Sequence, residues 1–328
     1  MKLSIVITTY NRAHQIEELL KCVSRQALEL FEEEKRNIEV LVVDNNSTDD
    51  SKQSIYKVIE QTTISIRYIF EERQGISHAR NTAIELAKGD LIAFIHDDLS
   101  LDDDWLKESF KIAEHCKEHE IGVYGGRSIP LWSGEIPQCI SLDKPYDVKQ
   151  EVFTAHSYGD EEKFYPLKSE FGSCEFPLGV NFYIRREVFK NCGNFRTDLG
   201  RSAKGGFDLN EDYEFFHYLS GINVPMIYVP QSIVYHPIQV EQFDEKKVRL
   251  WYYKLGKCQY WLSQTDRLKR APADFVGFNK HPNPYLYPSF SKYKIFGVPA
   301  YLYLKIIYRL MLLVYLRLSF SNKSRRAW

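Results

Sequence analysis

Residues 89–98 read Gly89-Asp90-Leu91-Ile92-Ala93-Phe94-Ile95-His96-Asp97-Asp98. An apolar run of strand length passes directly into a pair of adjacent carboxylates. Burying such a pair is costly, because like charges repel and desolvation disfavours both ionised forms. Water at the strand end or a bound divalent cation relieves the cost. A second acid pair, Glu211-Asp212, opens a helix-like stretch, and Tyr235-His236-Pro237 follows it. Together these residues suggest a cation held beside an acid–base carboxylate.

The same strand-then-polar pattern recurs upstream. Leu3 to Thr9 is a first strand, followed by a turn at Tyr10-Asn11-Arg12 and a helix carrying Ile16, Leu19, Leu20 and Val23. A second strand, Ile38 to Val43, ends at Asp44-Asn45-Asn46-Ser47. Ser47 or Asp49 is placed to cap the next helix, which carries Ile55, Val58 and Ile59. A third strand, Ile64 to Phe70, runs into Glu71 to Gly75 and then a helix, Ile76 to Ala87. Nearly all-apolar strands alternating with helices make an α/β fold: a mostly parallel central sheet covered on both faces. Ligands of such sheets bind at the carboxyl ends of the strands. Thr8-Thr9-Tyr10, Asp44-Asn45-Asn46, Gly75 and Asp97-Asp98 are therefore expected on one edge.

Further on the pattern loosens. Val123 to Ile129 and Phe182 to Arg186 read as strands, the latter entering a short helix closed by Gly193. Residues 130–178 are rich in turn-formers and aromatics. Residues 196–210, with Gly200, Gly205, Gly206, Arg201 and Lys204, read as a basic loop. A helix over Asp212 to Ser220 and a strand over Met226 to Val229 complete a domain near residue 240. It divides near residue 125 into two halves, 1–125 and 126–240, and is followed by a basic helical extension over 241–328.

The 328 residues carry a net charge of −1, but the charge is polarised. All 44 acidic residues lie at or before Asp274, against 34 of the 43 basic ones. Six cysteines are scattered with no Cys-x-x-Cys pair, and the start of the chain carries no signal-peptide pattern. A reducing, cytoplasmic compartment is the simplest expectation.

Six pieces of the chain in order resemble family 2 glycosyltransferases with the GT-A fold, of the kind found in bacterial surface-polysaccharide synthesis. They are Ser4 to Arg12, Val42 to Asp49, Gly75 with Ala79-Arg80-Asn81, Gly89 to Asp98, Gly179-Val180-Asn181 with Arg185 to Phe189, and Asn210-Glu211-Asp212. The resemblance covers roughly residues 3–240 and implies a nucleotide-binding half over 1–125 and an acceptor half over 126–240. It implies an inverting transfer of a sugar from a UDP, GDP or dTDP donor to a hydroxyl, with Mn2+ or Mg2+. Thr8, Tyr10, Arg12 and Asp44 take the positions that cradle the nucleoside. Arg80 is placed to pair with the acidic strand end or a phosphate. The family's Asp-x-Asp becomes His96-Asp97-Asp98 here. Asp98 takes the metal-ligand position, with Asp97 as helper or ribose contact. His96 replaces the first Asp, and a neutral imidazole supplies a hydrogen bond where a carboxylate would supply charge. His236 is a candidate second ligand, more natural for Mn2+ than for Mg2+. Asp212 matches the general base. Glu211 is its neighbour in the catalytic pair, orienting the acceptor or supporting the loop.

Residues 295–320 form a long apolar run interrupted by Lys305, Arg309 and Arg317. On a helix these fall within about 120° of one another, a cationic stripe on an apolar cylinder. That pattern suits an interfacial helix on an anionic leaflet, and a peripheral place at the inner face of the plasma membrane. Nucleic acid is not expected as a partner, since it has no use for the apolar surface. A glycan or lipid-linked acceptor is. The glycine-free turn after the first strand, Thr8 to Arg12, counts strongly against a nicotinamide-dependent oxidoreductase. His96 leaves one alternative open, a catalytically weak glycosyltransferase-like protein that binds nucleotide-sugar or serves as a scaffold.

Overall fold

The computed structural model describes residues 1–134, 156–168, 174–201, 211–239, 294–295 and 298–299. The first strands and helices follow the sequence pattern closely. β1 (Leu3–Thr9) leads to α1 (Ala13–Leu28) and a short α2 (Glu32–Arg36). β2 (Ile38–Asp44), α3 (Ser51–Ile59), β3 (Ser65–Phe70), α4 (Ile76–Leu86) and β4 (Leu91–His96) follow. Next come β5 (Ser100–Leu101), α5 (Trp105–Glu118), β6 (Val123–Trp132), β7 (Lys163–Phe164) and a two-residue hairpin of β8 (Leu167–Lys168) with β9 (Cys174–Glu175). β10 (Asn181–Arg185), α6 (Arg186–Cys192), α7 (Glu211–Gly221) and β11 (Met226–Ile238) complete the domain.

Nine strands form one mixed sheet in the order β3-β2-β1-β4-β10-β6-β11-β5, with β7 also paired to β11. β3, β2, β1 and β4 are a parallel block. β10 then runs antiparallel to both β4 and β6. Residue 125 lies inside β6, so the two halves expected from the sequence share this sheet. Both faces are covered, which explains the unbroken apolar reading of β1, β2 and β4. One face packs β1 residues Leu3, Ile5 and Ile7 under α1, α3 and α5. The other packs Val6, Leu41 and Phe94 under α4, α6 and α7.

Register does the next piece of work. Thr9 pairs with Asp44 and Thr8 with His96, so three strands end at one level. The loop after β3 is tied to that edge by Asn45. Its side-chain amide donates to the Arg73 carbonyl at 2.7 Å, and its Oδ1 accepts the Gly75 N–H at 2.7 Å. Gly75 has a φ of 139°, a conformation that glycine alone adopts without strain. All four polar sets expected on one edge are found there.

Some expectations shift. Neither Ser47 nor Asp49 is the N-cap of α3; that position is Asp50, and it makes no side-chain cap bond. Asp49 instead accepts from the Ser51 N–H and hydroxyl and from the Ala13 N–H, joining two helix starts. The last strand is much longer than Met226 to Val229. A bulge between Val229 and Ile233 carries it on to Ile238. The extension over 241–328 lies outside the described residues, apart from a pairing of Lys294–Ile295 with Val298–Pro299. Lys204 and most of the 130–178 segment also lie outside them. Among the described residues no helix is long and apolar enough to cross a membrane.

Glu71, nearly buried, clamps the loop after β3. It accepts from Arg73 Nε at 2.7 Å and from the Thr82 hydroxyl. Arg73 holds the Glu71 carboxyl down at about 2, against the effect of burial. A depressed folded value adds stability above the ordinary carboxylate range, and that stability is lost as pH falls toward 2. Urea unfolding between about pH 4.5 and 2 is therefore expected to weaken more steeply for the wild type than for Glu71→Gln. Parallel curves would rule the clamp out.

Candidate active site

The acid pair at the end of β4 is held by one guanidinium. Arg12 Nη1 donates to Asp97 Oδ1 at 2.8 Å and to Asp98 Oδ2. Asn11 makes this reach possible with a φ of 51° that turns the chain after β1. Its Oδ1 accepts the Thr48 N–H at 2.7 Å, fastening the β1 turn to the β2 turn. Burial pushes the Asp97 carboxyl up to about 6; the Asp98 charge adds to this and Arg12 opposes it. Burial also opposes ionisation of Asp98, but His96, Arg12 and His236 outweigh it and bring that carboxyl to about 2. The pair therefore presents one firmly ionised oxygen set, on Asp98.

His96 sits between Asp98 and Arg80. Burial pulls its imidazole down to about 3, so it is neutral near pH 7. Arg80 Nη2 lies 3.4 Å from His96 Nε2. A guanidinium only donates, so Nε2 is the bare nitrogen and the proton is on Nδ1. The residue in place of the usual first acid thus offers an N–H donor.

His236 is delivered by the long β11. Its Nε2 lies 3.9 Å from Asp98 Oδ1, a buried oxygen with no hydrogen bond. Burial pulls the His236 imidazole below its ordinary range. A neutral imidazole and a bare carboxylate oxygen this close together could both ligate one divalent cation. The donor set, one oxygen and one nitrogen, fits Mn2+ better than Mg2+. Among the described residues there is no cluster of three or more His, Cys, Asp or Glu side chains suited to a metal.

The same edge carries Thr8, Tyr10 and Asp44, the residues expected from the sequence to cradle a nucleoside. Tyr10 is 43 % exposed, free to stack on a flat ring, while Asp44 is buried. Asp44 accepts from the Ser47 N–H and the Tyr68 hydroxyl, both at 2.9 Å. Tyr68 was not legible as a partner, because the two are 24 residues apart on different strands.

On the opposite wall, Glu211 and Asp212 open α7. Glu211 is nearly buried and pairs with Arg80 at 2.9 Å. Burial pushes Glu211 up and Asp212 adds to the push, with Arg80 opposing both. Asp212 lies against Gly179, where a methyl group would stand 2.1 Å from Asp212 Oδ2 and 3.2 Å from its Cβ. Only glycine permits that approach. Asn181, two residues on, had no task in the sequence reading beyond its motif. It is buried, and its amide donates to the Ser232 carbonyl at 2.8 Å inside the β11 bulge. Its Oδ1 accepts the Trp105 indole N–H at 3.3 Å. Asn181 therefore fixes the bulge from which β11 runs to His236.

A sequence model described as Glycosyl transferase family 2 matches residues 4–193. The chain belongs to that family. Glycosyltransferase AglE of Haloferax volcanii is 25 % identical over 288 residues, covering 86 % of this chain and 83 % of its own. A glucosyl-dolichyl phosphate glucuronosyltransferase of the same organism is 25 % identical over 241 residues, 73 % of this chain and 70 % of its own. A mannosyltransferase of Pyrobaculum calidifontis, solved with GDP-Man and Mn2+, superposes with a TM-score of 0.57 at 17 % identity. It covers 88 % of this chain and 72 % of its own. That likeness shows the GT-A fold. The family membership makes the chain a glycosyltransferase of glycan or glycolipid assembly.

Two substitutions test the geometry. Gly179→Ala should shift Asp212 and lower sugar transfer by about 10²-fold, a cost usual for a small misplacement of a reacting group. Affinity for nucleoside diphosphate should stay within about twofold, as titration calorimetry reads; retained transfer would remove Asp212 from the site. Asn181→Leu strands the Trp105 N–H and the Ser232 carbonyl, and should cost about 2–4 kcal/mol in chemical denaturation.

Proposed function

We propose that the protein is an inverting, metal-dependent glycosyltransferase. It moves a sugar from a nucleotide-diphosphate donor to a hydroxyl of a lipid-linked glycan. The observation that carries this reading is the bare, buried Asp98 Oδ1 facing His236 Nε2 at 3.9 Å, at the strand edge where Asp44 and Tyr10 wait. That pairing makes little sense as packing and good sense as a cation seat beneath a diphosphate.

In this reading Tyr10 stacks on the base, and Thr8 and Asp44 bond its edge or the ribose. His96 donates through Nδ1 to the ribose or phosphate. Asp98 and His236 would hold a divalent ion, which when bound would supply charge neutralisation for the departing diphosphate. Asp212 takes the proton from the acceptor hydroxyl as its oxygen attacks the anomeric carbon. The bond from that carbon to the diphosphate oxygen breaks on the opposite face, so a single displacement inverts the configuration.

The lipid-linked acceptor is supported by the dolichyl phosphate in one relative's name and by the cationic stripe and apolar run of the tail. Both suit work at a membrane surface facing the cytoplasm.

The test is a panel of UDP-, GDP- and dTDP-sugars with Mn2+, comparing wild type, Asp98→Asn and Asp212→Asn. One donor should turn over, and each variant should lose at least about 10²-fold in rate. Chelation should abolish transfer, and added Mn2+ should restore it. Asp98→Asn should also weaken nucleoside diphosphate binding, whereas Asp212→Asn should not. The anomeric proton coupling of the product reads the inversion. Equal turnover in all three proteins would overturn the site. A donor bound but never transferred, with acceptor lipids present, would favour a nucleotide-sugar binding protein.

A further inference from the structure

One buried charge has no part in the chemistry above. Arg80, on α4, is 2 % exposed. Its Nη1 donates to Glu211 Oε1 at 2.9 Å, and its Nη2 to the Gly179 carbonyl at 2.8 Å. Nη2 also faces His96 Nε2 at 3.4 Å. The guanidinium carbon lies over the rings of Phe182 and Phe195, at 5.5 and 5.4 Å. A guanidinium spent on three partners and packed by two rings is poorly placed to follow a diphosphate that comes and goes. The phosphate contact expected from the sequence gives way to a different task.

The three partners share one feature: each adjoins a group that must be in register for transfer. Glu211 precedes Asp212 in the chain. Gly179 is the surface on which the Asp212 carboxylate rests. His96 precedes the acid pair on the donor side. The geometry points to Arg80 as a positioning residue, a rigid strut that holds the base Asp212 in register with the donor-side strand end. It acts through Glu211 and Gly179 on one side and His96 on the other. The proposal rests on the reading of Asp212 as base. A planar fork with fixed donor directions suits the task, and the flexible point charge of lysine does not.

The test uses Arg80→Lys and the paired variant Arg80→Met with Glu211→Gln, beside wild type. The paired variant replaces a buried ion pair with neutral groups of similar size and should fold at a melting temperature near that of wild type. Transfer of the panel's active donor gives kcat and KM. Calorimetry with Mn2+ gives affinities for the nucleoside diphosphate and monophosphate of that donor.

In both variants kcat should fall by at least about 10²-fold, the scale of a misplaced base. Donor KM and both affinities should stay within about threefold of wild type. Recovery of kcat in the paired variant would mean that Arg80 serves stability alone, and would overturn the proposal. A tenfold loss of diphosphate affinity in Arg80→Lys, with monophosphate affinity intact, would make Arg80 a phosphate ligand and equally overturn it. Should wild type bind no nucleoside diphosphate and transfer no sugar, the functional reading itself fails, and the strut with it.

Discussion

Everything at the functional edge depends on keeping two carboxylates at the end of a buried strand. β4 carries apolar residues on both faces until His96, and then Asp97 and Asp98 leave it together. Desolvation works against both charges. The chain answers with Arg12, brought round by the turn after β1, the neighbouring parallel strand. The turn itself is fastened to the β2 turn through Asn11. The three parallel strand ends are thus one electrostatic unit. Moving β1 or β4 would leave a buried acid without its counter-charge.

That unit was the legible part. Strands buried on both faces write themselves as apolar runs, so β1, β2 and β4 stood out, and the polar residues after them marked the edge. The first acid pair was visible because carboxylates at such a strand end need a reason. His96 was also legible as a departure from the family pattern, and its neutral state follows from burial against Arg80.

What stayed hidden depended on contacts far apart in the chain or on broken periodicity. Arg80 and Glu211 are 131 residues apart, and nothing in either neighbourhood names the other. Pro230, Gln231 and Ser232 interrupt the apolar pattern of β11, so it read as a four-residue strand. The bulge that absorbs them is held from across the sheet by Asn181. α5 did leave a signal, with Trp105, Ser109, Ile112, Ala113 and Cys116 on its buried face, but three consecutive aspartates before it masked the start.

The strand order carries a consequence for how the chain comes together. β3, β2, β1 and β4 are neighbours complete by residue 96, each pairing within the first third of the sequence. β6 is different. Both its neighbours, β10 and β11, come later in the chain. As the chain leaves the ribosome, the parallel block can close its three internal pairings and keeps only the β4 edge open for β10, while β6 emerges with two open edges and no strand to satisfy them. It must wait for β10 and then for β11, long-range pairings that are slow to close. The parallel block is therefore the early scaffold. The wall carrying Asp212 and His236 is assembled onto it last, at the moment when the open edges of β6 disappear.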